Sequence, residues 1–262
     1  MGTMFDGTET YDWWLEDFRG RKWTLFGDEE GDRGVTFESI SGAENSIIRE
    51  MTASSHQVGE SISGWHVEKL EPTLKVAIST RGRPQVWTDW LAAWSQKREC
   101  TLFCRNPHTQ RVKRLTSRLQ SGRQSPEAEP HLSGLTVQEL PLLAPKGVWV
   151  GSVQVLGAGD VWVNPGDLPP LISYYPETAG EIGLGIGEDV WTAAHPVFPA
   201  GTEVDLDPEA RMKTRVNGVV DPVWFSTWRN KWNPLQVQEG QELHVVAAAG
   251  EVAVTPRFLG PW

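Results

Sequence analysis

The stretch Val161-Trp162-Val163-Asn164-Pro165-Gly166-Asp167-Leu168-Pro169-Pro170 decides how this chain divides. Trp162 alternates with Val161 and Val163 as the side chains of a strand do. The strand stops at Asn164-Pro165-Gly166-Asp167, because Pro165 cannot donate to a ladder and Gly166 permits a positive φ. Upstream lie most of the positive charge and one clear helical pattern. Downstream come short apolar runs punctuated by Gly and Pro. The stretch reads as the way into a second, all-β domain.

Downstream, strands are expected near 149–156, 160–163, 171–175, 180–186, 189–192, 202–206, 212–217, 223–225, 242–248 and 251–257. A spacing of about ten residues with turn residues between them predicts a sandwich. Val216-Asn217-Gly218-Val219 predicts a tight hairpin, since Asn-Gly tolerates the positive φ of a type I′ turn.

Upstream, Thr10–Leu15, Lys22–Phe26 and Val35–Ile40 read as strands, with a polar turn at Gly27–Gly34. Residues 50–64 are polar, carry Ser and Gly, and read as a loop. Trp65–Ser79 resumes strand character, with Leu74, Val76 and Ile78 on one face. The period then changes: Trp87, Trp90, Leu91 and Trp94 stand at i, i+3, i+4 and i+7 behind Pro84, one face of an amphipathic helix packed on the sheet. Residues 100–104 and 109–119 flank Asn106-Pro107-His108 as a hairpin. The second arm also has helix-like spacing at Val112, Leu115 and Leu119, and the hairpin context selects strand. Residues 120–131 read as a loop, and Thr136–Leu143 closes the first unit.

A chain of 262 residues suits two domains of ordinary size. Its 26 Gly and 18 Pro favour short strands over a helical bundle. Fourteen Trp supply sheet cores and protein interfaces alike. A formal net charge of −10 argues against general affinity for DNA or anionic lipid. The charge is segregated, however. Residues 97–123 hold eight basic residues (Lys97, Arg98, Arg105, Arg111, Lys113, Arg114, Arg118 and Arg123) against one acid, a net +7, while residues 1–96 carry a net −7. Single-strand nucleic-acid binders interleave aromatics with such cations, and here Phe103 is the one available. A solvated hairpin, or one that meets an acidic surface of a neighbouring subunit, is favoured over polyanion binding, and Arg111, Lys113, Arg114 and Arg118 are the candidate residues of such a contact.

Catalytic patterns are weak. Gly183-Leu184-Gly185-Ile186-Gly187 lacks the following helix that a phosphate loop opens, so its glycines read as strand-end residues. His56, His66, His108, His131, His195 and His244 are scattered, without the clustering of a zinc site. Glu203, Asp205 and Asp207 would share one solvated strand face, whereas glycosidase carboxylates flank a substrate from separate elements. Cys100 and Cys104 lie four residues apart on one strand, about 13 Å, too far for a disulfide; they read as buried thiols. No apolar run reaches the ~20 residues of a membrane span. The first residues lack a signal-peptide pattern, which predicts retention without Sec-type export. No enzyme activity, metal or cofactor is expected.

Taken in order, several short passages resemble one family. They are Lys22-Trp23-Thr24-Leu25, Gly34-Val35 leading into Ile40-Ser41-Gly42, and the strand–helix–strand unit with Trp87–Trp94. Ala144-Pro145-Lys146-Gly147-Val148-Trp149, Asn164-Pro165-Gly166-Asp167, Ala200–Asp207, Val216-Asn217-Gly218 and Pro256–Trp262 follow. Together they resemble the distal tail proteins of long-tailed phages, specifically minor tail proteins of phages that infect actinobacteria. The loop 120–131 and the segment Val223–Trp232 depart from that pattern.

The resemblance implies a mainly β fold: an N-terminal β-barrel-like domain with one packed helix, 1–145, and a C-terminal galectin-like antiparallel β-sandwich, 146–262. It implies a structural virion protein whose six copies form a ring joining the tail tube to the tail-tip host-recognition complex. DNA and the tape-measure protein would pass through the lumen, and the partners would be copies of itself, the tube protein and the tip hub, with no membrane. The alternative is a carbohydrate-binding sandwich for cell-wall glycans, with Trp191, Trp224, Trp228 and Trp232 as a stacking platform.

Overall fold

A computed structural model of the chain describes residues 11–52, 61–122, 133–206, 212–228 and 236–262. Two compact units emerge: Met1–Trp149 together with Leu259–Trp262, and Val150–Phe258. The expected loop 120–131 falls mostly outside the described residues.

The first unit is built from β1 (Asp12–Glu16), β2 (Lys22–Phe26), β3 (Val35–Ser41), β4 (Ile47–Thr52), β5 (Ser61–Val67), β6 (Thr73–Ser79), α1 (Gln85–Ala93), β7 (Cys100–Arg105), β8 (Val112–Leu119) and β9 (Leu135–Leu143). Antiparallel pairings run in the order β2-β1-β7-β8-β9-β6-β3. The sheet curls, so that Trp13 of β1 stacks on Phe37 of β3 with centroids 4.9 Å apart. Leu74, Val76 and Ile78 of β6 are all fully buried, the face their alternation predicts. In β3 the register shifts between Phe37 and Ser39, so Glu38 is an extra residue bulged out of the ladder.

The helix forms where the period changes, behind Pro84 at its N-cap position. Its buried residues differ from the expected stripe. Val86, Trp90 and Ala93 face the core, while Trp87 and Leu91 are only half-buried. The helix ends at Ala93, and Trp94 is already extended (φ −106°, ψ 141°), which lets its ring enter the core from beyond the last turn. Trp90 then sits edge-on to both Trp23, at 5.1 Å, and Trp94, at 5.3 Å. Burying two wide rings beside each other, rather than a regular i, i+3, i+4 stripe, sets the helix rotation.

Residues 50–64 do not form a simple loop. β4 and β5 pair with each other as a separate two-stranded ribbon, with Arg49 opposite Trp65 and Met51 opposite Ile62. Composition hid this because the stretch is mostly polar, carries Ser and Gly, and lacks a sustained period-two alternation; residues 53–60 lie outside the described residues.

β10 (Trp149–Val150) carries the chain from one unit to the other. The indole N–H of fully buried Trp149 donates to the Ala43 carbonyl at 2.8 Å, anchoring it in the first unit.

The second unit contains β11 (Gln154–Leu156), β12 (Val161–Val163), β13 (Leu168–Pro176), β14 (Gly180–Ile186), β15 (Asp189–His195), β16 (Thr202–Asp205), β17 (Thr214–Val216), β18 (Val219–Val220), α2 (Pro222–Trp228), β19 (Glu242–Ala247) and β20 (Gly250–Phe258). One layer pairs β18-β17-β16-β13-β20-β11 and the other β12-β19-β14-β15. Inward residues of both layers make one core, including Trp162, Ile172, Tyr174, Leu184, Trp191, Val204, Leu243 and Val252. This is the antiparallel sandwich the strand spacing predicts. The hairpin also forms: Asn217 and Gly218 have φ of 50° and 79° between β17 and β18.

Three readings of this half need correction. Residues 223–225 are helical, because Asp221 caps them: its Oδ1 accepts from the N–H groups of Val223 (2.9 Å) and Trp224 (3.2 Å), with Pro222 at the first helical position. Gly183 and Gly185 lie inside β14, not at its end. Finally, Gly166 does not have a positive φ. It is glycine because a Cβ there would collide with the backbone of Arg257.

The deciding stretch behaves as a corner. Asn164 is 1% exposed; its Nδ2 donates to the carbonyls of Leu168 and Val237, both at 3.0 Å, and its Oδ1 accepts from Gly166 N–H at 3.0 Å. β13 then starts early, at Leu168. Its pairing with β20 shifts between Leu168 and Leu171, where Pro169 and Pro170 have no N–H to offer.

Candidate functional site

The basic segment is a regular hairpin. Cys100 stands opposite Ser117 and Arg105 opposite Val112 across β7 and β8. Asn106 shapes the turn: its Oδ1 accepts from His108 and Thr109 N–H groups at 2.9 and 3.0 Å, and Gln110 takes a left-handed φ of 56°. Period-two alternation then sorts the side chains. Leu115, Ser117 and Leu119 point inward and are buried, so Arg114, Thr116 and Arg118 take the outer face.

The candidate residues therefore part company. Lys113 lies on the inward pleat at the strand end, where its Nζ donates to the carbonyls of Gly260 (3.2 Å) and Trp262 (2.6 Å). Arg114 is exposed and Arg118 half-buried on the outer face, and Arg111 is exposed at the exit of the turn. Among the described residues, none of these three arginines has an ion pair. Other members of the basic segment are engaged: Arg105 donates through Nε and Nη2 to Asp12 Oδ2, at 2.7 and 2.5 Å, and the Arg98 guanidinium lies 5.0 Å from the Phe18 ring. Arg123 falls outside the described residues.

Sequence reading missed the aromatic partner of this face. Phe103 stands opposite Arg114 on one side and Trp14 of β1 on the other. The Trp14 and Phe103 rings stack at 5.0 Å with an interplanar angle of 5°. Lys22 of β2 places its Nζ 5.5 Å from the Trp14 ring. The outer face thus carries a cation–aromatic–aromatic row of Arg114, Phe103 and Trp14, and Lys22 reaches the Trp14 ring diagonally from the next row, where it stands opposite Glu16. Trp14 is 89 positions before Phe103 in the sequence, so no local pattern could pair them. Arginine around half-buried aromatics is the composition of protein contact surfaces.

The carboxylates of the second unit are not a solvated row. Arg215 Nη1 lies 2.5 Å from Asp205 Oδ2 and 3.8 Å from Glu203 Oε2. The Ser173 hydroxyl donates to Glu203 Oε1 at 3.2 Å, and the Tyr175 hydroxyl to the same oxygen at 3.1 Å. Burial and the adjacent Glu203 charge raise the Tyr175 pKa. Asp205 is buried because Arg215, one strand over, compensates it. Both carboxylates are engaged as a structural network; Asp207 falls outside the described residues.

Two of the four residues of the alternative sugar platform are packed inward. Trp191 is 8% exposed and turned into the core, and Trp224 packs on Phe198 with centroids 4.6 Å apart. Nothing is described of the Trp228 side chain or of Trp232. Among the described residues no group of three His, Cys, Asp or Glu could hold a metal ion. His195 is a core residue, its Nε2 2.8 Å from the hydroxyl of buried Tyr174. Cys100 and Cys104 are free and buried, and burial pushes each thiol up to about 12. No helix among the described residues is long and apolar enough to cross a membrane.

Neither the family models nor the curated protein sequences match this chain. Solved structures do. The Dit protein of phage SPP1, described as a paradigm of the hub adsorption apparatus in phages infecting Gram-positive hosts, aligns with a TM-score of 0.57 at 12% identity, over 95% of this chain and 100% of that one. Chains of the phage p2 baseplate in its activated conformation, with Ca and with Sr, align at TM-scores of 0.47 and 0.48 and identities of 10% and 9%, over 94% of this chain and 98% of theirs. At those two scores the likeness carries no weight. The chain has the fold of the SPP1 Dit protein along nearly its whole length.

Proposed function

We propose that the chain is a structural component of a phage tail tip: a distal tail protein whose six copies form a ring joining the tail tube to the host-recognition complex. The observation that carries this is the shared fold with the SPP1 Dit protein over 95% of the chain. In this role the domain 1–145 builds the ring and the domain 146–262 is the galectin-like sandwich. DNA and the tape-measure protein cross the lumen, and the protein performs no chemistry. Arg111, Arg114 and Arg118 belong to a subunit contact, while Lys113 supports it from beneath by holding residues 260 and 262. Three guanidinium groups without an ion pair among the described residues, one of them, Arg114, opposite Phe103 of a half-buried aromatic stack, suit a surface that meets another protein.

Light scattering after size exclusion, with negative-stain images of the same fractions, tests this. Six-fold rings are expected at micromolar concentration. A strict monomer that also fails to bind the tail-tube protein would rule the reading out.

A further inference from the structure

We infer that the outer face of the β8-β7-β1-β2 sheet docks the β2–β3 turn of a second copy of this chain; this rests on the ring-forming reading above and names the surface that closes the contact.

The face offers Arg114, Phe103 and Trp14 in one row across β8, β7 and β1, with Arg118 four residues along β8 on the same pleat; Lys22 of β2 reaches the Trp14 ring diagonally from its place opposite Glu16. Its inner half is aromatic and half-buried, so water can be expelled from it. Arg114 and Arg118 have no ion pair among the described residues, while Lys22 faces Glu16 across the β1–β2 ladder.

The occupant is chosen by charge. Gly27–Gly34, between β2 and β3, exposes Asp28, Glu29, Glu30 and Asp32, none of which has an ion pair among the described residues. The one cation of the turn, Arg33, lies 5.5 Å from the Trp23 ring. Backbone bonds hold the turn in shape: the N–H groups of Glu30, Gly31, Asp32 and Gly34 donate to the carbonyls of Gly27, Thr24, Glu29 and Gly31. A turn already ordered before docking loses little freedom on binding. It is a rigid acidic knob, and the face is a basic, aromatic seat.

Position within the sheet decides between self-satisfaction and assembly. β8 and β2 are separated by β7 and β1, about 14 Å of sheet. The acidic turn leaves from β2, at the far side from Arg114 and Arg118, and no ion pair joins them among the described residues. A molecule with a basic seat at one side of a sheet and an acidic knob at the other associates head to tail. Such heterologous contacts close into rings when the rotation permits.

Charge reversal provides the test. One variant carries Arg114→Glu and Arg118→Glu, giving an acidic seat with an acidic knob. The other carries Asp28→Lys, Glu29→Lys and Glu30→Lys, giving a basic seat with a basic knob. Each alone should raise the concentration needed for ring formation by at least about tenfold. An equimolar mixture should restore rings, with the two chains alternating. Circular dichroism checks the fold of each. If a reversed chain fails to fold, Arg114→Gln with Arg118→Gln replaces it and should still shift assembly at an unchanged melting temperature. Wild-type rings with reversal variants that assemble at the same concentration would overturn the docking and leave the ring itself standing. Variants that fail alone and also fail when mixed would overturn the pairing of seat with knob. A wild-type protein that never assembles would remove both.

Discussion

The side-chain amide of Asn164 donates to the carbonyl of Val237, 73 positions away, at 3.0 Å. A second N–H of the same amide serves Leu168, and its oxygen serves Gly166. One buried side chain therefore satisfies three backbone groups where β12 gives way to β13. Asn164→Ala strands them out of reach of water, at about 1–3 kcal/mol for each unsatisfied group. A loss of about 3 kcal/mol or more is expected in urea unfolding of the whole chain. Asn164→Asp should cost at least as much, since it sets a carboxylate oxygen against two carbonyls.

In the first unit, Trp90 Nε1 donates to Gln138 Oε1 at 3.0 Å, and both residues are buried. The Gln138 Nε2 has no hydrogen-bond partner among the described residues. Trp90→Phe leaves the whole amide unsatisfied and should destabilise by about 2 kcal/mol beyond the loss of ring area. Adding Gln138→Leu should recover much of this, because removing both polar partners is far less costly than removing one. A double-mutant cycle on thermal melting temperatures checks it; strict additivity would show that the bond contributes nothing.

Asp17 binds the β1–β2 turn. Its Oδ1 accepts from the N–H groups of Arg19 and Arg21 at 2.8 and 3.0 Å, and its Oδ2 from Arg21 Nε at 2.8 Å. Burial alone would raise its pKa, but these bonds together outweigh it and hold the carboxyl below 3.8. A depressed folded-state pKa means stability that is present above the unfolded value of about 3.9 and lost as pH falls through the folded one. Stability should decline as pH drops below about 4, and Asp17→Asn should flatten that decline. Parallel acid titrations of the two proteins give the comparison.

Cys100 and Cys104 carry the opposite sign. Burial holds both thiols protonated to about 12, against 9.0 for an ordinary thiol. Their contribution is complete below the unfolded pKa and lost as pH rises from about 9 towards 12, at ~1.4 kcal/mol per pH unit for each thiol. Neither should react with an alkylating reagent at pH 8 until the chain unfolds, and both should then react together. Rapid labelling of either in the native protein would contradict their burial.

The sequence made the local elements legible and left most of the contact surface unreadable. The hairpin around Asn106, the Asn217-Gly218 turn and the strand face of Leu74, Val76 and Ile78 all follow from period and turn chemistry. The helix at 222–228 was hidden because residues 223–225 read as a short apolar strand, although Asp221-Pro222 is a capping pair. The rotation of α1 depended on where Trp23 and Trp94 arrive, which no periodicity contains. The same holds for the candidate site. A basic run at 97–123 could be seen, but strand alternation separates Lys113 from Arg114, and Trp14 reaches Phe103 only through pairing of β1 with β7. Gly166 shows the limit most plainly, since its reason for being glycine is the approach of Arg257, 91 positions later.

Lys113 and Cys104 meet residues 260–262, and the Trp262 ring sits 6.0 Å from those of Trp13 and Tyr11. The first unit therefore waits on a segment that leaves the ribosome only after every residue of the sandwich has been made. Vectorial synthesis delivers its opening strands early and its closing piece late, with a whole independent core translated in the interval. The covalent route also crosses between the units twice, at Trp149–Val150 and at Phe258–Leu259. A protease cutting one junction would leave the halves tethered through the other.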